Sequence, residues 1–354
     1  MPITLAQAQV NTQTDVDYAV IDNLRRYSWL LDQIVFDDTV NPGTGGGTLT
    51  YGYTRLTAAR QAAFRALNSE YTAGQATRAR SSVELKPLGG RFDIDRVLAR
   101  LGAAQTNEIT FQMQQLLTAT RTKFQDELIN GDVAVDVNGF DGLDKALTGT
   151  STEYLPASEG VSTGYLDWTR GTIDTQAEAM AQLDLVDDFL SRIIPSHTGG
   201  GDQGEPGALP PGVKAILGNT KSITRMRALG RWAGIYTQTK DDLGREIESY
   251  GPWRLIDLGD NALGTAPIIP IETRDADGGG AGGNITGLTD LYAASFGLDA
   301  LHGASVAGKP LVETWMPDFT TSGAVKSGEI EMGPVAMVLR NTKACGVLRN
   351  IKVQ

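Results

Sequence analysis

The sequence predicts an α+β chain of 354 residues, built from an arm, a projecting two-stranded ribbon, one long helix and a mixed second part. Three observations predict it. Residues 48–54 and 81–86 alternate apolar with polar side chains, the period of a half-buried strand. Residues 104–130 keep a helical apolar spacing, which corresponds to roughly 40 Å of helix. From 132 to about 305 helical and strand patterns alternate, and the chain then ends in strand. The length allows two domains or one elaborated domain.

In chain order, "TDVDYAVIDNLRRYSWLLDQIV" (14–35) sets Val16, Val20, Leu24, Tyr27, Leu31 and Ile34 on one helix face, with Thr14 or Asp15 as N-cap. "NPGTGGGT" (41–48) breaks it. The first ribbon strand points Leu49, Tyr51 and Tyr53 one way and Thr50, Gly52 and Thr54 the other, and Val83 and Leu85 repeat the pattern on the return. Between them "AARQAAFRALNSEYTAGQATRAR" is Ala-rich and has no core pattern. It reads as the tip of an excursion with arms of about 10–20 residues that does not pack on its own chain. A lone two-stranded ribbon is marginal in water, so support from outside the subunit is expected.

After a short element capped by Asp95, the long helix lines up Ile109, Met113, Leu116, Thr120, Phe124 and Leu128, and Gly131 stands where a C′ glycine would end it. Residues 167–195 and 220–234 read as helices, and 266–272 and 290–297 as strands. Gly/Pro-rich loops at 196–212 and 275–284 interrupt them, and the segment from Gly328 to Gln354 is strand-like. No repeat appears at periods of 20–50 residues.

"NGDVAVDVNGFDGL" (130–143) follows the long helix directly. As a helix–loop–helix calcium loop with Gly139 at position 6, it would need a ligand at position 1 and a bidentate Glu at position 12. Those positions hold Ala134 and Lys145, so the calcium reading fails. The rim of an active site and punctuation between two parts of the structure remain.

Composition excludes several classes. A net charge of −11 and a pI of about 4.8 repel nucleic acid and anionic membranes, which argues against sequence-reading binding. Cys345 is the sole cysteine, and His197 and His302 are the sole histidines, so no intrachain disulfide, no metal centre and no cofactor are expected. The start lacks a signal-peptide pattern, and no apolar run approaches membrane-spanning length, so neither secretion nor a membrane span is expected. The 42 glycines are an excess that loops and hinges must explain.

Catalytic look-alikes lack their context. "GVSTG" (160–164) matches a nucleophile elbow around Ser162, but no buried strand precedes it and no helix follows. Gly199, Gly201 and Gly204, and again Gly278, Gly280 and Gly283, match G-x-G-x-x-G without a strand before and a helix after. "GNTKS" (218–222) lacks the second Gly of a phosphate-binding loop.

The order of segments carries a resemblance. An arm ending in "LLDQIVFDD", the ribbon, "VELKPLGGRFDIDRVLARLG", the long helix and "FQDELINGDVAVDVNGFDGLDKAL" follow one another, with "ILGNTKSITRMRALGRWAG", "YGPWRLIDLGDNALGTAPIIPI" and "DLYAASFGLDALHG" downstream. This resembles the major capsid proteins of tailed bacteriophages, the Hong Kong 97 fold.

The resemblance implies an N-terminal arm (1–47), an extended E-loop (48–92), a peripheral domain (93–131) with a spine helix at about 103–130, and an axial domain (132–305). Residues 306–354 would return to the peripheral domain and end in a tail. The 130–143 stretch then reads as punctuation at the domain junction. Gly131, Gly139 and Gly142 let the chain turn, with positive φ or a close approach expected at Gly131 and Gly142, while Asp132, Asn138 and Asp141 bond nearby amides. Phe140 and Leu143 would anchor it.

The implied function is that of a major capsid protein, not an enzyme. Hexamers and pentamers would close an icosahedral shell around packaged double-stranded DNA held without sequence-specific binding, in a virion assembled in the bacterial cytoplasm. A portal, a separate scaffolding protein and a decoration protein are the implied partners, and a chain starting with the arm implies that no scaffolding segment is cut from it. Residues 1–54 hold six acids against two arginines, whereas residues 55–80 hold five arginines against one glutamate. Arg55, Arg60, Arg65, Arg78 and Arg80 on the ribbon are therefore expected to meet Asp15, Asp17 and Asp22 on a neighbour's arm. Two competing readings stand beside this: an encapsulin-like compartment, a family of generally shorter chains, and a cytoplasmic serine hydrolase using Ser162.

Overall fold

The computed structural model describes residues 26, 28–41, 48–100, 108–193, 212–234, 237–240, 246–276 and 283–354. The expected N-cap, Asp15, Asp17, Asp22, His197, the first helical turn at 103–107 and most of both Gly-rich loops lie outside them.

In the described part of the arm, only Leu30–Gln33 (α1) is helical; Arg26, Ser28 and Trp29 are not, so the expected continuous 14–35 helix does not form. Phe36–Val40 (β1) is instead a strand, pairing in parallel with Leu301–Val306 (β13). The ribbon is Thr50–Ala58 (β2) against Thr77–Glu84 (β3), in register from Thr50 opposite Glu84 to Ala58 opposite Thr77. Its arms of 9 and 8 residues are shorter than the alternation suggested, because residues 59–76 leave the ladder. Lys86–Asp95 (β4) then departs to pair with Val325–Leu339 (β15).

β15 organises a five-stranded sheet with β4, β1, β13 and Val312–Trp315 (β14). The long helix, Glu108–Asn130 (α2), packs against β4 and β15. Its C-terminal half is the buried part: Phe124, Leu128 and Ile129 are fully enclosed, while Ile109, Met113 and Leu116 are half-buried. Gln125 is also enclosed and accepts from the Leu30 amide at 3.3 Å while donating to the Leu258 carbonyl at 2.8 Å. One side chain thus ties the arm and the second part of the chain to the helix.

The second part is a nine-stranded sheet. Its main order runs Glu153–Tyr154 (β5), Cys345–Lys352 (β16), Asn284–Ser295 (β12), Lys214–Gly218 (β7), Trp253–Asp257 (β10), β9 (246–250) and β8 (237–240), with Leu166–Asp167 (β6) and Glu272–Asp275 (β11) beside the path. The 306–354 segment is consequently divided. β15 belongs to the five-stranded sheet, and β16, in the part expected to be a tail, pairs with β12 in the other.

Two helices cover one face, Gln176–Ser191 (α4) and Thr220–Ala233 (α5); Leu143–Leu147 (α3) lies on the other side with the junction. The β7 alternation shows the division, with Ile216 in the core under α4 and α5, and Ala215 and Leu217 in the core shared with α2 and the ribbon foot. α4 begins at Gln176, not at 167, because Thr175 accepts from the Glu178 amide and Glu178 reaches back to the Thr175 amide. Residues 266–271 are not a strand; Pro267 and Pro270 lack the amides a ladder needs, and only an isolated bridge joins Asp260 to Pro267.

Candidate functional site

The ribbon stands on a fixed foot. Tyr51, Tyr53 and Leu85 are buried in the core, and the Tyr51 hydroxyl donates to Asp37 Oδ2 on β1 at 2.8 Å. Burial, and then that bond, raise the Tyr51 pKa to about 12. His302 on β13 lies within 3.4 Å of the same hydroxyl; burial and then Arg340 push its pKa down to about 4. Tyr53 donates to the Leu339 carbonyl at 3.3 Å. Arg55 donates to the Leu339 and Arg340 carbonyls and to the Tyr53 hydroxyl. Its guanidinium is therefore engaged inside its own chain, unlike those of Arg60 and Arg78.

Beyond the foot, residues 56–80 are all exposed. Phe64 is 108% exposed, Leu67 92% and Tyr71 66%. A tip turn closes with the Ser69 amide on the Ala66 carbonyl, and Asn68 sits at φ 64°. Arg65 donates to the Ala66 and Ser69 carbonyls and lies 5.4 Å from the Tyr71 ring centroid. Arg60 and Arg78 face solvent, and Arg80 lies against Gly52 on the paired strand. The apolar tip residues escaped sequence reasoning because they follow no period. Their signal was the presence of large apolar side chains in a segment that gives them nothing to pack on.

The junction residues come together in one turn. Gly131 takes the last helical bond, its amide on the Glu127 carbonyl at 2.9 Å, and the Gly142 amide closes on the Gly131 carbonyl at 2.8 Å. Neither glycine has positive φ; both are demanded by close approach instead. A Cβ on Gly131 would stand 2.2 Å from the Phe140 carbonyl oxygen, and one on Gly142 would stand 2.6 Å from that of Ile129. Asp132 accepts from the Ala134 amide and pairs with Lys145 at 3.0 Å, and the amide bond with that pair lowers its pKa. Gly139 ends a turn on the Asp136 carbonyl, and Phe140 is buried against Phe124, their centroids 5.8 Å apart. Val133, Val135 and Val137 point outward.

Downstream of the turn, a largely buried ionic cluster holds α3 to the second sheet. Arg349 on β16 pairs with Glu153 at 3.0 Å, with Asp290 at 3.2 Å and with Asp144, and Tyr292 donates to Asp144 at 2.8 Å. Burial opposes the Arg349 charge, but Asp290, Tyr292 and Asp144 more than offset it and raise its pKa. Between the ribbon foot and the junction turn lies a cleft of about 530 Å³ lined by Tyr53, Arg55, Lys86, Phe140, Lys145 and Leu339.

The catalytic look-alikes find no partners in the described residues. Ser162 sits in an exposed turn between a 3-10 helix (Pro156–Glu159) and β6, not on a strand–helix elbow. His302 is enclosed beneath the ribbon foot, and Cys345 is fully buried, its thiol pKa pushed up to about 12 by burial. Among the described residues no three His, Cys, Asp or Glu side chains converge as a metal site, and no helix is long and apolar enough to cross a membrane.

No protein-family model and no curated protein matches the sequence. Solved structures do match. The capsid of a native GTA particle is similar with a TM-score of 0.57 at 11% identity, over 96% of this chain and 95% of that one. The capsid of the cyanophage P-SCSP1u aligns with a TM-score of 0.53 at 10% identity, over 97% and 94%. The encapsulin of the holo-SrpI complex from Synechococcus elongatus aligns with a TM-score of 0.58 at 14% identity, over 100% and 97%.

The fold is the Hong Kong 97-type capsid fold.

Within that fold the ribbon is the E-loop and α2 the spine helix. Chain length, expected to set an encapsulin apart, does not do so, since nearly the whole of both chains aligns.

Proposed function

We propose that the chain is the major capsid protein of a tailed bacteriophage, closing as hexamers and pentamers an icosahedral shell around packaged double-stranded DNA. One observation carries this reading: on a Hong Kong 97-type fold, the E-loop is fixed at its foot and carries Phe64, Leu67 and Tyr71 uncovered at its tip. Large apolar side chains grouped on a projecting element mark a binding surface. A repeated neighbour is the surface that such a shell supplies. Arg60, Arg65 and Arg78 would frame that contact, with Asp15, Asp17 and Asp22 of a neighbour's arm opposite. The role is structural rather than enzymatic and belongs to the virion, assembled in the host cytoplasm with a separate scaffolding protein, a portal and a decoration protein.

The second reading, an encapsulin-like compartment, is favoured by the alignment with the SrpI encapsulin over the whole chain. Particles recovered from cells producing the chain separate the two. A phage capsid gives large shells with nuclease-protected DNA in a complete infection, while an encapsulin gives small shells with protein cargo. A chain that sediments as a monomer under all assembly conditions contradicts both.

A further inference from the structure

α4 and α5 lie side by side over the same core, and their charges are fully sorted. α4 carries Glu178, Asp184, Asp187 and Asp188 and no base; α5 carries Lys221, Arg225, Arg227 and Arg231 and no acid. Glu178 and Arg231 suit the dipoles of their helices, but several of the other charges work against theirs. Asp184 with Asp188, Lys221 with Arg225, and Arg227 with Arg231 are like-charge pairs four residues apart, which destabilise a helix. The α4 acids at 187 and 188 stand near the negative end of its dipole, and Lys221 stands near the positive end of the α5 dipole.

Part of the charge is used within the subunit. Glu178 completes the α4 capping box, Asp187 accepts from the Tyr250 hydroxyl at 2.7 Å, Arg227 pairs with Glu248, and Arg225 donates to the Val353 carbonyl at 3.4 Å; Asp188 pairs with Arg192 at 3.6 Å but stays 53% exposed. What remains outward is complementary. At 100° per residue, Met180, Asp184 and Asp188 share the outer face of α4, and Lys221, Ala228, Arg231 and Trp232 share that of α5. Met180 is 48% exposed and Trp232 50%. Shallow clefts beside Trp232 are lined by Ala228 and Arg231, and on one side by Trp168 and Arg170. Arg and Trp are residue types enriched at interface centres.

The geometry points to a second copy of this chain as the occupant: the outer face of α4 on one copy meets the outer face of α5 on the next. The acids and Met180 of one lie against the bases and Trp232 of the other. In the rings of the shell reading each copy would offer α4 to one neighbour and α5 to the other, a head-to-tail contact. This rests on the shell reading and adds a surface to it that is separate from the E-loop.

Three charge variants and one apolar variant test it at low salt, where screening is weakest. Asp184→Lys with Asp188→Lys reverses α4; Lys221→Glu with Arg231→Glu reverses α5; the third combines all four. Each single-helix reversal should lower the assembled fraction by at least about tenfold, and the combined variant should return to within about twofold of the parent. Mixing the two single-helix variants should restore even-numbered rings alone, since only strict alternation pairs every interface. Trp232→Ser, which leaves every charge in place, should weaken assembly severalfold if the reversed subunits prove too unstable to score. Single-helix reversals that assemble like an assembling parent overturn the contact and leave the shell reading intact. A combined variant as defective as its components, yet melting with the parent, overturns it as well. A parent that never assembles overturns the shell reading, and this contact falls with it.

Discussion

Replacing Phe64 and Leu67 together by serine isolates what the E-loop tip does. Both side chains are exposed almost completely, at 108% and 92%, so they contribute next to nothing to the subunit's own core. The subunit's stability should change by no more than about 0.5 kcal/mol. If each is instead buried on a neighbour, its transfer from water is worth about 1.5–3 kcal/mol, or about 3–6 kcal/mol for the pair at every contact. With 1.4 kcal/mol per factor of ten, the association constant per contact falls by roughly two to four orders of magnitude. Static light scattering across a concentration series reads this as a rise in the critical concentration for assembly, and a thermal melt of unassembled subunits serves as the control. An unchanged critical concentration would refute the reasoning, because exposed apolar side chains with no partner in the particle carry no assembly energy. An equally large fall in melting temperature would refute it differently, by showing that the tip packs on its own chain.

Reversing Arg60, Arg65 and Arg78 to Glu should leave a folded subunit that no longer closes shells; wild-type assembly at low salt would end the charge-pairing idea. Gly131→Ala should destabilise by about 1–3 kcal/mol, since the new methyl meets the Phe140 carbonyl, whereas Gly171→Ala, with open space around it, should stabilise by about 0.4–1 kcal/mol. Equal denaturation midpoints for the two would show that the junction is not tight. His302 is held neutral in the fold, so the unfolded chain binds the proton first as pH falls below 6.5. Stability should therefore drop between pH 6.5 and about 4 by up to about 3 kcal/mol and level off below, a slope that His302→Gln removes; urea midpoints across that range check it. No lysine lies between Thr48 and Ser82, Lys86 pairs with Glu84 at 3.0 Å, and Cys345 is buried, so mature particles boiled in detergent and reductant should run as one band near 37.7 kDa. A surviving ladder would show a covalent link, with Lys86 the first residue to suspect.

Much of this architecture was legible because it repeats a period. The Tyr51–Tyr53 alternation located the first ribbon strand, and the spacing from Ile109 to Leu128 located the spine helix, though not that its C-terminal half alone is enclosed. The order of segments named the fold, although sequence identity to the matching structures is only 10–14%. What escaped depends on partners distant in the chain. Phe36–Val40 is a strand because β13 offers it an edge, a fact that no local pattern records. Cys345–Lys352 joins the second sheet because β12 is there, not because of its composition. Arg55 looked like its neighbours on the ribbon until the Leu339 and Arg340 carbonyls were placed beside it. Gly131 and Gly142 were recognised as special, but close approach and left-handed backbone cannot be told apart in a sequence.

A cryo-electron-microscopy reconstruction of particles formed by the full chain tests the central claim most directly. The expected particle is a closed icosahedral shell with five-fold and six-fold clusters, each E-loop extended across an adjacent copy, and Phe64, Leu67 and Tyr71 covered by it. A subunit that remains monomeric, or a shell in which those three side chains still face solvent, would contradict it.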